Sequence, residues 1–145
     1  MNDLSRFGFN KLCDLSLDKS ESIDRTFVKP RQLVNVLYAF VVNNEIKYIG
    51  KTNDLWKRFD TYRNSKNWKN AFVSNQIKTD LIEKAIAKTG VELYVKECPT
   101  IYIGCNGKSI AVTSMHLEEP RIIKHFNPEW NKHYAKYQRA VSKSY

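Results

Sequence analysis

Several residue types are scarce in this chain of 145 residues. Its five Gly and four Pro leave little room for a long linker. Its three cysteines, Cys13, Cys98 and Cys105, form no Cys-x-x-Cys pair, which argues against a disulfide framework or a zinc site and for a reducing compartment. No apolar run approaches the ~20 residues of a membrane span, and none follows Met1 as in a secretory signal. We therefore predict a cytoplasmic protein without a membrane partner.

Basic residues, in contrast, are abundant: 24 Lys and Arg stand against 15 Asp and Glu, a net charge of +9. Residues 47–88 hold ten basic side chains and four acidic ones, whereas residues 89–119 hold two lysines and four glutamates. A basic surface interrupted by an acidic spot is typical of a polyanion groove that contains a metal position. Charge alone is equally consistent with an ordinary soluble basic protein that has no such groove. The 42% hydrophobic content suffices for one core and therefore for a single domain.

The apolar pattern predicts an α/β (α+β) fold in which helices flank a small, mainly antiparallel sheet. Val34–Val42 is β-branched and aromatic, as strands are, and Asn43-Asn44 suits a tight hairpin turn. Glu45–Ile49 is then the returning strand, which we expect Gly50 to end.

Capping residues and turn signals place the later elements. They predict a helix from Asn53 or Asp54 to about Asn64, then a loop or short helix from Arg63 to Lys78, then a helix capped by Asp80 and ended by Gly90. Beyond these they predict a strand over Val91–Cys98, a hairpin around Asn106-Gly107, and a helix from about Ser114 to Phe126 with Pro120 in its first turn.

The spacing of the tyrosines indicates chemistry. Tyr38 and Tyr48 lie ten residues apart around the turn, so they belong on adjacent antiparallel strands. Arg58 lies on the next helix, and Glu118 and Glu119 begin a later one. Phosphodiester hydrolysis requires a base, a phosphate clamp and a metal ligand, and these side chains supply all three. The pattern predicts a nuclease.

The same residues resemble a known family. Tyr38, Tyr48-Ile49-Gly50, Arg58 and Glu118, in this order and spacing, are similar to the GIY-YIG nucleases, although Val36-Leu37-Tyr38 replaces the first Gly-Ile-Tyr. The likeness to phage-encoded members of the family extends from Asn35 to Asn131. On this basis we predict an N-terminal arm over residues 1–31, a GIY-YIG-like nuclease domain over 32–131, and a basic tail over 132–145.

The resemblance implies roles for the aromatic and basic residues. Tyr38 activates the attacking water, and because a free phenol has a pKa near ~10, it needs a metal or cations nearby. Tyr48 orients the phosphate or water, and Arg58 offers a bidentate fork to the scissile phosphate. Lys51 stabilises a tyrosinate or contacts phosphate, and Tyr62 supports the phosphate.

A second group of roles concerns metal and DNA. Glu118 is the predicted ligand of Mg²⁺, for which Mn²⁺ can substitute, and it is preferred to Glu119 because Leu117-Glu118 and Pro120 match the family pattern. Asn131 is expected to hydrogen-bond phosphate or metal-bound water. The DNA contacts are expected at Lys11, Gly50, Lys57 and Lys78.

The resulting hypothesis is a Mg²⁺-dependent endonuclease that nicks or cuts double-stranded DNA and leaves a 5′-phosphate and a 3′-hydroxyl. Because one domain carries one active site and a duplex break needs two cuts, we expect a homo-oligomer, either a dimer or a tetramer. The resemblance also implies phage-encoded degradation of host DNA. Two alternatives stay open: a nucleic-acid-binding module without catalysis, and a restriction or mobile-element endonuclease of the same superfamily.

Overall fold

The computed structural model describes residues 3–65 and 73–132. Within these residues, a short 3-10 helix, Leu4–Phe7, is followed by six strands and three α-helices with assigned bounds. The strands are β1 (Asn10–Asp14), β2 (Val34–Val42), β3 (Glu45–Asp54), β4 (Glu92–Glu97), β5 (Thr100–Cys105) and β6 (Lys108–Thr113). The helices are α1 (Leu55–Asn64), α2 (Val73–Lys88) and α3 (Met115–Phe126).

An antiparallel sheet of four strands, in the order β1-β4-β2-β3, organises the molecule. The β2–β3 hairpin forms as predicted, because Asn43 and Asn44 both adopt the positive φ angles of a tight turn, 50° and 65°. Strand β2 is central, and seven of its nine residues are buried. The predicted fold class, a mainly antiparallel sheet flanked by helices, is confirmed.

Both faces of the sheet are covered. Alternate residues of β2, including Tyr38 and Phe40, point into a core shared with helices α1 and α2. The intervening residues, including Leu37 and Ala39, point into a second core that contains Met115 and Ile122 of α3. Because the faces have different partners, the edge strand β3 is the place where side chains from α1, α2 and α3 can meet.

Two predicted boundaries were wrong. Strand β3 does not end at Gly50 but continues to Asp54, since its partner β2 continues the ladder to Val34. Asp54 then caps α1 by accepting a hydrogen bond from the Trp56 backbone N–H at 3.1 Å, as predicted. Helix α2 begins at Val73 instead of Asp80. Residues 66–72 of the predicted loop lie outside the described residues.

The segment predicted as an N-terminal arm packs into the domain. Strand β1 pairs with β4 at the edge of the sheet opposite β3. Leu4 and Phe9 are buried in the core on the α3 side, and Leu15 and Ile23 in the other core. Of the tail, residues 133–145 lie outside the described part of the chain.

Strands β5 and β6 form a separate hairpin with mostly exposed residues, followed by α3. Its turn is the predicted Asn106-Gly107, with φ angles of 51° and 74°. Pro120 lies inside α3 and not in its first turn, because the helix already begins at Met115. None of the described helices has the length and apolar character that crossing a bilayer requires.

Candidate functional site

A cavity of about 280 Å³ lies where β3 meets the three helices. We call it the tyrosine pocket. Its lining comes from β2, β3, α1, α2, α3 and the segment after α3: Tyr38, Tyr48, Ile49, Lys51, Arg58, Lys78, Glu119, Ile123 and Asn131. The fold therefore brings together six of the predicted site residues, namely Tyr38, Tyr48, Lys51, Arg58, Lys78 and Asn131.

The two tyrosines come from neighbouring strands. In the β2–β3 ladder, Tyr38 is opposite Gly50 and Tyr48 is opposite Phe40. Their rings therefore share one face of the sheet, with centroids 6.0 Å apart. The tyrosine spacing in the sequence thus corresponds to a pair of adjacent phenols at the bottom of the pocket.

Gly50 makes this arrangement sterically possible. A Cβ atom at position 50 would lie 2.6 Å from Cζ of Tyr38 and 2.8 Å from Cε2 of Tyr48. The predicted reason for this glycine was a close approach of DNA. The structure gives a different reason, which is space for the two phenol rings.

We expect Gly50→Ala to displace both rings, because neither is free to move within the packed core. The variant should lose about 1–3 kcal/mol of stability, as overpacked sites do, and should also lose cleavage activity. Gly104→Ala is the matched control, since a Cβ there meets nothing within 4 Å. Thermal melting and DNA cleavage measured on both variants check this; equal melting temperatures would contradict it.

The hydroxyl groups of Tyr38 and Tyr62 share a hydrogen bond of 2.5 Å. Tyr62 is fully buried behind Tyr38, not on the pocket wall, so the predicted contact between Tyr62 and a phosphate does not fit the structure. Burial, reinforced by the neighbouring phenols, raises the pKa of Tyr38, Tyr48 and Tyr62 well above 10. All three are therefore neutral hydroxyls in this state.

Lys78 occupies an unusual position for a DNA-contacting lysine. It is only 8% exposed, and its Nζ donates a 2.8 Å hydrogen bond to the Tyr48 hydroxyl. Burial and the positive charge of Arg58 lower the Lys78 pKa to about 8. The charge of the Lys78 amine therefore changes close to neutral pH. The sequence pattern predicted a basic contact here but contained no signal for this burial, because helix α2 was expected to begin after Lys78.

Arg58 and Lys51 supply further positive charge. The guanidinium Nη2 of Arg58 donates a 3.5 Å hydrogen bond to the Lys51 backbone carbonyl, which aims Arg58 along β3. Lys51 Nζ lies 3.8 Å from the Glu119 carboxylate. Three cationic side chains thus surround one carboxylate in the tyrosine pocket.

That carboxylate belongs to Glu119, whereas Glu118, the predicted metal ligand, lies outside the tyrosine pocket. Glu118 accepts hydrogen bonds from Lys96 and, at 2.6 Å, from Ser114, and it lines a different cavity. Burial opposes its charge, but these donors keep the Glu118 pKa below its usual range. Successive residues of a helix point about 100° apart, so only one of the two glutamates can face the pocket. Burial raises the pKa of Glu119.

Asn131 lines the pocket but has structural partners. Its side-chain oxygen accepts a hydrogen bond from the Ile49 N–H at 3.0 Å, and its amide donates to the Ile49 carbonyl at 2.9 Å. This paired contact occupies the outer edge of β3. Asn131 therefore holds β3 against the segment after α3.

The other predicted DNA contacts lie outside the tyrosine pocket. Lys11 is on the far edge strand, where Asp14 and Glu92 both lie 2.9 Å from its Nζ and raise its pKa. Lys57 lines a neighbouring cavity of about 300 Å³, which also contains Arg58. Lys57 is thus placed to extend the positive surface beyond the pocket, whereas Lys11 has its charge compensated.

The pocket is compatible with one Mg²⁺ ion that has a single protein carboxylate as ligand and takes its other ligands from water and the substrate phosphate. Among the described residues, no three His, Cys, Asp or Glu side chains gather into a metal-binding group. Mg²⁺ often uses only one or two carboxylates, with phosphate oxygens and water as its other ligands. Glu119 is the pocket-lining carboxylate in position for this, and 17% of its side chain is exposed.

Comparison with known proteins found relatives in sequence and in fold. No protein-family model matches the chain. It is 35% identical over 133 residues to "Endonuclease II" of Enterobacteria phage T4, covering 91% of this chain and 96% of that protein. The structure of a bacteriophage T4 EndoII mutant superposes with a TM-score of 0.75 and 34% identity, covering 87% of this chain and 93% of that one.

A second solved structure shares the fold at a lower level of identity. It is the restriction endonuclease HPY188I in complex with product DNA, with a TM-score of 0.56 and 22% identity. The match covers 86% of this chain and 80% of that one.

Proposed function

The chain belongs to the endonuclease II family of GIY-YIG nucleases, and we propose that it is a Mg²⁺-dependent DNA endonuclease that uses the tyrosine pocket as its active site. One observation supports this most: three cationic side chains, two phenol hydroxyls and one carboxylate line a single pocket. Phosphodiester hydrolysis needs a cationic clamp, positioned hydroxyls and a metal ligand in this proximity.

The cations bind and orient the scissile phosphate. Arg58 presents a planar fork that suits two phosphate oxygens, and Lys51 adds a point charge beside it. The Tyr38 hydroxyl donates a hydrogen bond to a phosphate oxygen, and the Tyr48 hydroxyl accepts one from the attacking water. Glu119 would hold Mg²⁺, which when bound polarises the phosphate and stabilises the charge that develops on its oxygens.

Proton transfer uses Lys78 and Tyr48. With a pKa of about 8, Lys78 is partly neutral near pH 8 and can accept a proton through the Tyr48 hydroxyl. Water forms a new bond to phosphorus in line with the bond to the 3′-oxygen, which breaks, and the departing 3′-oxygen takes a proton from bulk water. The products are a 5′-phosphate and a 3′-hydroxyl.

The experiment that tests this function is incubation of supercoiled plasmid with the protein and either Mg²⁺ or EDTA. We expect nicked and linear DNA with Mg²⁺ and intact plasmid with EDTA, because without a bound metal ion the Glu119 carboxylate repels the phosphate and nothing at that position stabilises the developing charge. Mn²⁺ should restore cleavage after EDTA is removed. Cleavage of equal rate in EDTA would contradict metal dependence.

The same assay separates the competing functions. A nucleic-acid-binding module without catalysis would retard plasmid on a gel and leave it uncut under both conditions. A restriction-type enzyme would convert linear DNA to a few discrete fragments, whereas weak sequence preference gives a broad smear. We expect the smear.

Self-association belongs to the same proposal, since each chain has one tyrosine pocket and a duplex break needs two cuts. The exposed hairpin β5–β6 provides an apolar surface for a dimer or tetramer, with Tyr102 72% exposed and Ile103 and Ile110 about half exposed. The predicted arm is less suited, because residues 3–31 already pack into the domain. A monomer in sedimentation at concentrations that give duplex breaks would contradict association.

The biological role we propose is degradation of host DNA during phage infection, in the host cytoplasm. Its support is the likeness to phage T4 Endonuclease II. Expression in bacteria should fragment chromosomal DNA, and the Glu119→Gln variant should not. Intact chromosomes with an active enzyme would exclude this role.

A further inference from the structure

A second cavity, of about 470 Å³, lies along a neighbouring face of helix α3. Glu118 and Ile122 line it, whereas Glu119 and Ile123 line the tyrosine pocket, so α3 separates the two. The remaining lining comes from Arg6, Phe7, Lys96, Arg121 and His125. We call this cavity the basic cleft. No step of the proposed reaction uses it.

The charges in the basic cleft are not balanced. Lys96 forms an ion pair with Glu118, which leaves Arg6 and Arg121 as further cations. Both arginines are exposed, and within residues 3–65 and 73–132 no carboxylate lies at ion-pair distance from either. The cleft therefore offers two guanidinium groups to an anion from solution.

The cleft is also structurally ordered. The ring of His125 packs 4.9 Å from Phe7 and 4.8 Å from Phe126 between ring centroids. This aromatic contact joins α3 to the 3-10 helix that carries Arg6. The two arginines thus project from elements that are packed against each other, which reduces the entropy lost when they bind one ligand.

We infer that the basic cleft binds a backbone phosphate of the DNA substrate, at a position away from the phosphate that is cut. This inference rests on the proposed function, which makes DNA the substrate. The planar guanidinium group of arginine can donate two parallel hydrogen bonds to phosphate oxygens, which the ammonium group of lysine cannot do. Such a contact carries affinity and register, and no chemistry.

The separation of the two cavities suits a single duplex. An α-helix with its side chains is about 10–12 Å across, and the major groove of B-DNA is about 12 Å wide. Phosphates on either side of a groove could therefore reach the tyrosine pocket and the basic cleft together. Helix α3 would then lie along the groove.

Glu118 should weaken the binding of a phosphate in the basic cleft. Its carboxylate opposes a phosphate in the cleft and also compensates Lys96. Glu118→Gln should therefore tighten DNA binding, whereas Arg6→Ala and Arg121→Ala should weaken it. A substitution that merely damaged the fold would not strengthen binding.

The test is DNA affinity measured by fluorescence anisotropy in EDTA, where no cleavage occurs, between about 50 and 200 mM salt. Arg6→Ala and Arg121→Ala should each weaken binding by roughly tenfold and flatten the log–log salt slope by about one unit. Glu118→Gln should tighten binding by ~3-fold. Lys124→Ala is the control, since Lys124 is exposed on α3 but does not line the cleft.

Two outcomes would overturn the inference. The first is an affinity and a salt slope that neither arginine substitution changes, or that Lys124→Ala changes as much. The second is saturable binding of inorganic phosphate that the arginine substitutions remove while DNA affinity stays the same, which would make free phosphate the ligand. Because the wild-type plasmid assay is independent of these measurements, failure of the inference is distinguishable from failure of the proposed function.

Discussion

Glu119→Gln is expected to reduce cleavage about 10³-fold or more, as loss of an essential electrostatic group does. The substitution keeps the size of the side chain and removes the carboxylate that faces Lys51, Arg58 and Lys78 in the tyrosine pocket. DNA binding in EDTA should persist, because the substitution removes a negative charge and keeps all the cations that bind phosphate. Single-turnover cleavage at saturating protein, beside DNA affinity, measures both effects.

The neighbouring Glu118→Gln is the matched control, with the same chemistry one residue earlier on α3. Because Glu118 bonds Lys96 and Ser114 on a neighbouring face of the helix, cleavage by this variant should stay within about tenfold of the wild type. A reversed order of the two effects would restore Glu118 as the metal ligand. Equal, small effects would exclude both carboxylates from the chemistry.

Tyr38→Phe should slow cleavage by ~10²–10⁴-fold, the range typical for loss of a group that positions or transfers a proton. Tyr62→Phe is a matched control, because each substitution removes the same 2.5 Å hydrogen bond and keeps a buried ring. The two variants should therefore lose similar stability. Only Tyr38→Phe removes a hydroxyl from the wall of the tyrosine pocket.

Melting curves and single-turnover cleavage of both variants decide the role of Tyr38. Similar melting temperatures with a large difference in cleavage would support a chemical role for its hydroxyl. Equal cleavage losses would attribute the effect to the shared Tyr38–Tyr62 hydrogen bond and not to the Tyr38 hydroxyl at the pocket wall. Activity of Tyr38→Phe equal to that of the wild type would leave Tyr48 and Lys78 as the proton-transfer groups.

Much of the fold was predictable because its signals are local. Asn43-Asn44 and Asn106-Gly107 specify tight turns through positive φ angles, and Asp54 specifies the start of a helix through its cap. The start of α2 was not predictable in this way, since residues 73–79 have no clean apolar period. The pairing of strand β1 with β4 was not predictable either, because it joins residues about 80 positions apart.

In the candidate site, too, some features follow from local sequence and others depend on tertiary packing. The two tyrosines were predictable as neighbours, since a hairpin of known turn places their strands side by side. The burial of Lys78 was not, because it depends on how α2 packs against the sheet. The pairing of Asn131 with the Ile49 backbone likewise joins two segments that are adjacent only in the folded chain.

The sequence by itself determined the family, the antiparallel sheet and the residue types available for cutting DNA, because strand periodicity, turns and motif spacing are properties of short segments. Only the tertiary structure decided which carboxylate serves the tyrosine pocket. Glu118 and Glu119 are adjacent and chemically identical, and the motif favoured Glu118, but the packing of Met115 and Ile122 against the sheet sets the rotation of α3 about its axis. That rotation directs Glu119 toward Lys51 and Glu118 toward Lys96.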